Sequence, residues 1–204
     1  MPPAKEFQTI RSDLFYWQAY DPAVKADLSC VACRTAAGLV FIDPIPLHKA
    51  AEEELLAIAP PRAVILTSGN HARAAEKFRA RFSIPICAES SATQEFPFAV
   101  DRLIADDEAI LDEFSVVTLP GAAAGEIALY RAGAIHFGDA LVHVPPPGFA
   151  ILPDKYCADP RELRGSLGKL LRFPFELLTF AHGLPIVSHA RQRLLQLLDS
   201  GHPQ

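Results

Sequence analysis

The stretch Ala63-Val64-Ile65-Leu66-Thr67-Ser68-Gly69-Asn70-His71-Ala72-Arg73 carries two structural signals back to back. Residues 63–67 are a short continuous apolar run, the pattern of a strand buried on both faces. Ser68-Gly69-Asn70 is a turn. His71, Ala75, Phe78 and Phe82 then recur at spacings of four, three and four, the stripe of an amphipathic helix. A buried strand feeding a helix through a polar turn is the repeating unit of an α/β fold.

The same grammar extends outward. Upstream, Leu14 to Asp43 reads as three antiparallel strands broken at Asp21-Pro22 and Ala36-Ala37-Gly38, the last being Leu39-Val40-Phe41-Ile42-Asp43. Leu47, Ala51, Leu55 and Ile58 mark a helix that Pro60-Pro61 stops. Downstream come strands at Ile84 to Ala88 and Phe114 to Leu119. Arg131-Ala132-Gly133 is a tight hairpin between Ile127–Tyr130 and Ala134–Phe137. Pro145-Pro146-Pro147-Gly148 reads as a rigid loop. Asp159-Pro160-Arg161-Glu162 opens a helix, with Asp159 as cap, Pro160 at the first position and Glu162 completing a capping box. Phe175 to Phe180 is a last strand and Ala190 to Leu198 a closing helix. No linker or repeat interrupts this order, so residues 1–204 read as one α/β domain of two β-α halves.

Composition narrows the partners. The chain has 204 residues, half of them hydrophobic and 21% charged, which suits a globular fold. Nineteen basic against 24 acidic residues leave a net charge of −5, without the basic cluster of a nucleic-acid surface. No apolar stretch approaches the roughly 18 residues of a membrane helix. Met1 to Asp13 lacks the apolar core of a signal peptide, so the cytoplasm is the expected compartment. Cys30-Val31-Ala32-Cys33 lacks the second pair of a zinc ribbon and points to opposite faces of a strand. The four cysteines therefore read as small core residues.

Five segments lie at expected strand ends, where α/β folds place their sites. They are Ile42-Asp43-Pro44, Thr67 to Arg73, Gly121-Ala122-Ala123-Ala124-Gly125-Glu126, Phe137-Gly138-Asp139-Ala140 and Ala181-His182-Gly183. In this order they resemble the metallo-β-lactamase superfamily over about Leu14 to Leu198. The resemblance implies a four-layer αβ/βα sandwich with its site at the edge between two sheets. It also implies a hydrolase of β-lactams, thioesters, phosphodiesters or lactones that uses one or two metal ions. Asp43 matches an aspartate that braces the metal loop, Asp139 the aspartate that bridges two metals, and His182 the last ligand histidine. Ala122 stands where Gly-His-Thr-Pro-Gly-Glu has its histidine. Against Thr-His-x-His-x-Asp-His, the ligand places counted from Thr67 hold Ser68, Asn70, Ala72 and Arg73. One inserted residue would bring His71 into the second histidine's place and Arg73 to the aspartate's.

Donor arithmetic then limits the metal. Catalytic zinc takes three protein ligands and an open position. Two ions about 3.5–4 Å apart also need negative ligands to offset their repulsion. Asp139, His182 and at most His71 are present, so no tightly held pair is expected. A single weakly held zinc or other divalent ion on His71, Asp139 and His182 remains, with Asp139 and His182 as the candidate catalytic residues. Each also has a plainer reading: His71 as a packed histidine at a helix start, Asp139 as a turn cap, His182 as a hydrogen-bond partner of a neighbouring loop. His136 sits an odd number of residues from Asp139 and should face away. His143 would share its face if the strand continued.

A different chemistry suits the same corner. Ser68, Asn70 and Arg73 at a helix start would hold a small carboxylate or phosphate without metal. Ser68 with His71 as base lacks the pattern of a nucleophile elbow. The reading is thus a hydrolase-like protein with a reduced metal site. A non-catalytic anion-binding or structural protein on the same fold is the alternative. The expected partner is a small molecule, with neither nucleic acid nor membrane. Self-association is left open through the apolar Pro145 to Phe149 loop with Ile151.

Overall fold

The computed structural model describes residues 1–146 and 148–200. Pro147 of the expected proline loop and the last residues of the expected domain lie outside them. In chain order the elements begin β1 (Gln8–Arg11), β2 (Leu14–Asp21), β3 (Ala26–Thr35), β4 (Gly38–Ile42), α1 (Lys49–Leu56), β5 (Pro61–Ile65), α2 (Ala75–Phe82), β6 (Ile86–Glu89) and β7 (Arg102–Ile104). They continue β8 (Ala109–Ile110), β9 (Phe114–Thr118), β10 (Ile127–Arg131), β11 (Ala134–Phe137), β12 (Leu141–Val144), β13 (Gly148–Ile151), α3 (Pro160–Gly168), β14 (Leu177–Phe180) and α4 (Ala190–Asp199).

Strands β1 to β7 form one sheet in chain order, antiparallel through β4 and parallel from β4 to β7. The second sheet runs β14-β11-β10-β9-β8, and β12 and β13 make a separate hairpin. Only β11 and β14 are parallel in the second sheet, so the second half does not copy the first. The reason is local: Ala132 and Gly133 both take positive φ, which folds β10 straight back on β11.

Alternation along β3 builds the layers. Cys30 and Ala32 pack with Leu55, Phe78 and Phe41 beneath α1 and α2. Val31 and Cys33 face the other way, joining Ile42 and Ile65 against Phe114, Val116, Ile127 and Leu129 of the second sheet. Phe137, Leu178 and Phe180 pack outward onto Leu163 and Leu167 of α3 and Leu194 of α4. The order is helix, sheet, sheet, helix. The two cysteines of the C-x-x-C spacing thus occupy different cores, as a period of two requires.

Two expected features shift. Helix α2 begins at Ala75, so His71 lies in the loop before it rather than on its stripe. Asp159 does cap α3, accepting from Arg161 N and Glu162 N, with Pro160 at the first position. Pro145 and Pro146 turn the β12–β13 hairpin, which brings Phe149 and Ile151 back as a half-buried strand. No helix among the described residues is long and apolar enough to cross a membrane.

Candidate metal site and its cleft

Four loops leave the carboxyl ends of β4, β5, β11 and β14 and converge where the two sheets meet. β4 and β5 are parallel, as are β11 and β14, so their ends share a rim, the usual place for a site in α/β folds. The loops deliver Asp43, the segment 67–73, Asp139 and His182.

Asp43 is the bracket. It is fully buried and holds a left-handed backbone (φ +50°), which lets its carboxylate turn onto the next loop. Thr67 donates its N–H to Oδ1 at 2.9 Å and its hydroxyl to Oδ2 at 2.5 Å. His71 Nδ1–H donates to Oδ2 at 2.9 Å. Burial alone would raise this carboxyl. The charge of His71, with Arg73 nearby, outweighs burial and holds it well below the usual carboxylate range.

His71 is therefore locked by its Nδ1 side, and its Nε2 faces Asp139 Oδ1 at 3.2 Å. Burial pushes the imidazole down, but the Asp43 charge pulls it up, and the balance lies at about 9. At neutral pH and without a metal it is an imidazolium donating to two carboxylates. Asp139 Oδ1 also lies 3.4 Å from His182 Nε2, while its Oδ2 accepts from Asn70 Nδ2 at 3.1 Å. Burial would raise Asp139 too, yet His71 and His182 hold it well below the usual range.

His182 is oriented from behind. Its Nδ1 contacts the Asp27 carbonyl at 3.1 Å, and a carbonyl only accepts, so Nδ1 carries the proton. In the neutral ring, Nε2 then presents a lone pair to the site, the arrangement of a metal ligand with an outer carbonyl partner. The loop is held by β12: His143 N donates to His182 O at 3.1 Å and Leu184 N to His143 O at 3.1 Å. Gly183, at φ +103°, permits this, since a Cβ there would stand 2.0 Å from His143 O.

Arg73 leaves the β5 loop with φ +37° and turns inward. Its Nη1 donates to Ser29 O at 2.7 Å and Asp43 O at 3.2 Å, and its Nη2 to Ala181 O at 3.2 Å. Nη2 also lies 3.4 Å from His182 Nε2. The guanidinium is thus committed to the protein's own carbonyls.

Behind Asp139, Gly138 packs so closely that a Cβ would stand 2.6 Å from Thr67 Oγ1 and 2.7 Å from Glu126 Oε1. Glu126 is buried. Its Oε1 accepts from Ala140 N at 2.9 Å, and Oε2 has no hydrogen-bond partner among the described residues. Burial first, and the Asp139 charge second, push its carboxyl up to about 8.

The structure brings together Asn70, His71, Arg73, Asp139 and His182, which all line one cleft of about 910 Å³. Ser68 does not join them: it is fully buried, with its hydroxyl 3.4 Å from Asn70 N. The anion corner expected from Ser68, Asn70 and Arg73 loses its helix terminus, because α2 starts only at Ala75. Both ring nitrogens of His71 face carboxylates, so Ser68 has no base there either. His143 uses Nδ1 on Leu184 O at 2.8 Å and serves the hairpin rather than the donor cluster. His136 lies between the sheets, its Nδ1 2.9 Å from Thr179 Oγ1 and its Nε2 within 3.6 Å of Asp43 Oδ2. Sequence reasoning missed the Asp27 carbonyl, because a backbone carbonyl leaves no residue signature. Glu126 was visible only as the end of the Gly121–Gly125 segment; its burial was not.

The metallo-beta-lactamase superfamily model matches residues 7–200, and the chain belongs to the metallo-β-lactamase superfamily. Among solved structures, DIM-1 metallo-β-lactamase superposes with a TM-score of 0.76 at 11% identity, covering 98% of this chain and 99% of that one. A metallo-β-lactamase from Pontibacter korlensis gives 0.73 at 17% identity, with 95% and 98% covered. BLEG-1 B3 metallo-β-lactamase gives 0.67 at 20% identity, with 83% and 92% covered. These likenesses carry the fold, and with it the sandwich expected from the sequence. A search of curated proteins finds no match.

Proposed function

We propose that the protein is a hydrolase that works with a single divalent metal held by His71, Asp139 and His182. The carrying observation is the spacing of their donors, which all lie within 4.8 Å of one another. Asp139 Oδ1 is 3.2 Å from His71 Nε2 and 3.4 Å from His182 Nε2. Ligand atoms about 2.0–2.1 Å from a tetrahedral zinc stand ~3.3 Å apart, so the set fits one such ion. It does not fit two: Ser68, Asn70, Ala72 and Ala122 offer no strong donors, and Arg73 contributes a fixed cation beside His182.

When bound, the ion would supply a Lewis acid and a more acidic water. The chain's own residues do the rest. Asp43 fixes His71 so that Nε2 points at Asp139. The Asp27 carbonyl fixes the His182 tautomer. Asn70 holds the second oxygen of Asp139 and so fixes the carboxylate plane. The cleft over these groups receives the substrate.

Metal analysis of protein purified without chelator tests this, together with hydrolysis of a panel of esters, thioesters and lactones. About one metal per chain, lost with activity in His182→Ala, supports the reading. Two metals per chain would refute the donor count. A second reading, a non-catalytic small-molecule binder, is favoured by one observation: His71 already bridges Asp43 and Asp139 as an ion pair that needs no metal. Absence of both metal and turnover would select it.

A further inference from the structure

The neutral His182 ring has one acceptor to offer. Its Nδ1 proton goes to the Asp27 carbonyl, so Nε2 carries the single in-plane lone pair of the ring. That lone pair is what a metal would take. Arg73 Nη2 lies 3.4 Å from the same atom and donates an N–H to it. One lone pair serves one partner, so the guanidinium and a metal exclude each other at His182.

The surroundings hold this contact in place. Arg73 has a left-handed backbone, at φ +37°, which a non-glycine residue keeps only where its neighbours over-determine it. Nη1 is anchored on Ser29 O at 2.7 Å and on Asp43 O at 3.2 Å, and Nη2 gives its other hydrogen to Ala181 O at 3.2 Å. Three anchors thus aim the fourth N–H at Nε2. Asp139 Oδ1 stands 3.4 Å from Nε2 as well. Two acceptors at that distance repel unless a cation is beside them, and the guanidinium is that cation. His71 Nε2 meets the same Oδ1 at 3.2 Å, so each of the three donors already has a partner inside the protein.

We infer that Arg73 caps the metal site: its Nη2–H occupies the His182 lone pair and must release it before a divalent ion binds, so Arg73 sets how weakly that ion is held. This rests on the single-metal reading. On release the guanidinium keeps its three carbonyls, and only the fourth N–H turns to the cleft that Arg73 helps to line. Capped and loaded forms therefore differ by one contact and not by a refolded loop.

Two variants separate the hydrogen bond from the charge. Arg73→Lys keeps a cation for the carbonyls but has no second nitrogen to reach His182. Arg73→Gln removes the charge as well. Zinc affinity is read at fixed pH by competition with a chromophoric chelator. It should tighten by about ten- to a hundredfold in Arg73→Lys, the worth of one charge-assisted hydrogen bond, and at least as much in Arg73→Gln. An arginine that only braced the loops would, when replaced, weaken zinc instead. Isotope-labelled parent protein gives a readout that needs no variant to fold. Saturating zinc should shift the Arg73 Nη2 resonances and speed the exchange of those protons with water, while the Nη1 protons stay protected. Zinc held no more tightly by Arg73→Lys than by the parent, or Nη2 resonances that zinc leaves unchanged, overturns the inference and leaves the single-metal reading standing. Zinc bound by neither the parent nor either variant overturns both.

Discussion

Glu126→Gln tests a buried carboxyl that sits just before β10. The carboxyl is buried, its Oε1 takes the Ala140 N–H at 2.9 Å, and its Oε2 has no hydrogen-bond partner among the described residues. Burial and the nearby Asp139 charge move its pKa from 4.5 to about 8. Glutamine keeps the shape and the acceptor for Ala140 but cannot ionise. The sign follows from proton binding: between 4.5 and 8 the folded state holds a proton that the unfolded state has released, so parent stability falls as pH rises through that window. Below about pH 4.5 both states are protonated and the group contributes nothing. At 1.36 kcal/mol per pH unit, the full cost by pH 8 is about 5 kcal/mol. Urea denaturation of parent and variant in chelator at pH 5, 6.5 and 8 reads it directly. The variant should be about as stable as the parent at pH 5 and about 3–5 kcal/mol more stable at pH 8. Parallel stability profiles would refute the assignment, because they would mean that Glu126 titrates normally and is not sealed beneath Gly138.

Two further outcomes follow from the same geometry. Below its raised pKa of about 9, metal-free His71 keeps the proton that a metal must displace, so zinc binding at pH 7.5 should release about one proton per chain. Calorimetry in buffers of different ionisation heat measures this, and the release should vanish near pH 10. Gly183→Ala places a Cβ 2.0 Å from His143 O at a φ of +103°. It should cost about 3 kcal/mol or more and lower Tm by roughly 10 °C, read by thermal unfolding.

Much of this was legible in the chain because it is local. The apolar run at 63–67, the helix stripe through Phe78 and Phe82, the Ala132-Gly133 turn and the Asp159 cap each follow from neighbours a few residues apart. The residues that stand at Ser68, Asn70, Ala72, Arg73 and Ala122 were legible too, since they need only the sequence. What was not legible is non-local. His71 obeys helix spacing to Ala75, yet Asp43, 28 positions earlier, captures its Nδ1, and the segment 71–74 stays a loop. A fully buried carboxylate needs that donor more than the helix needs another turn. Strand β12 was hidden for the same reason. Its pairing is with β13 across a proline turn, and its value to the site lies in backbone bonds to the His182 loop.

Arg73 helps the cluster around Asp43 and Asp139 hold its shape. A cluster containing Asp43 and Asp139 in a poorly solvated pocket needs positive charge nearby, or one carboxylate must take up a proton. A pair of metal ions would supply that charge. Here His71 supplies part of it as an imidazolium, and the Arg73 guanidinium supplies the rest from a fixed position. The two differ in what they permit. An imidazolium gives up its proton to an incoming metal, whereas a guanidinium keeps its charge at any accessible pH. Its three carbonyl contacts, on Ser29, Asp43 and Ala181, tie it to β3 and to the β4 and β14 loops at once. One cation is therefore exchangeable with an incoming metal and one is permanent.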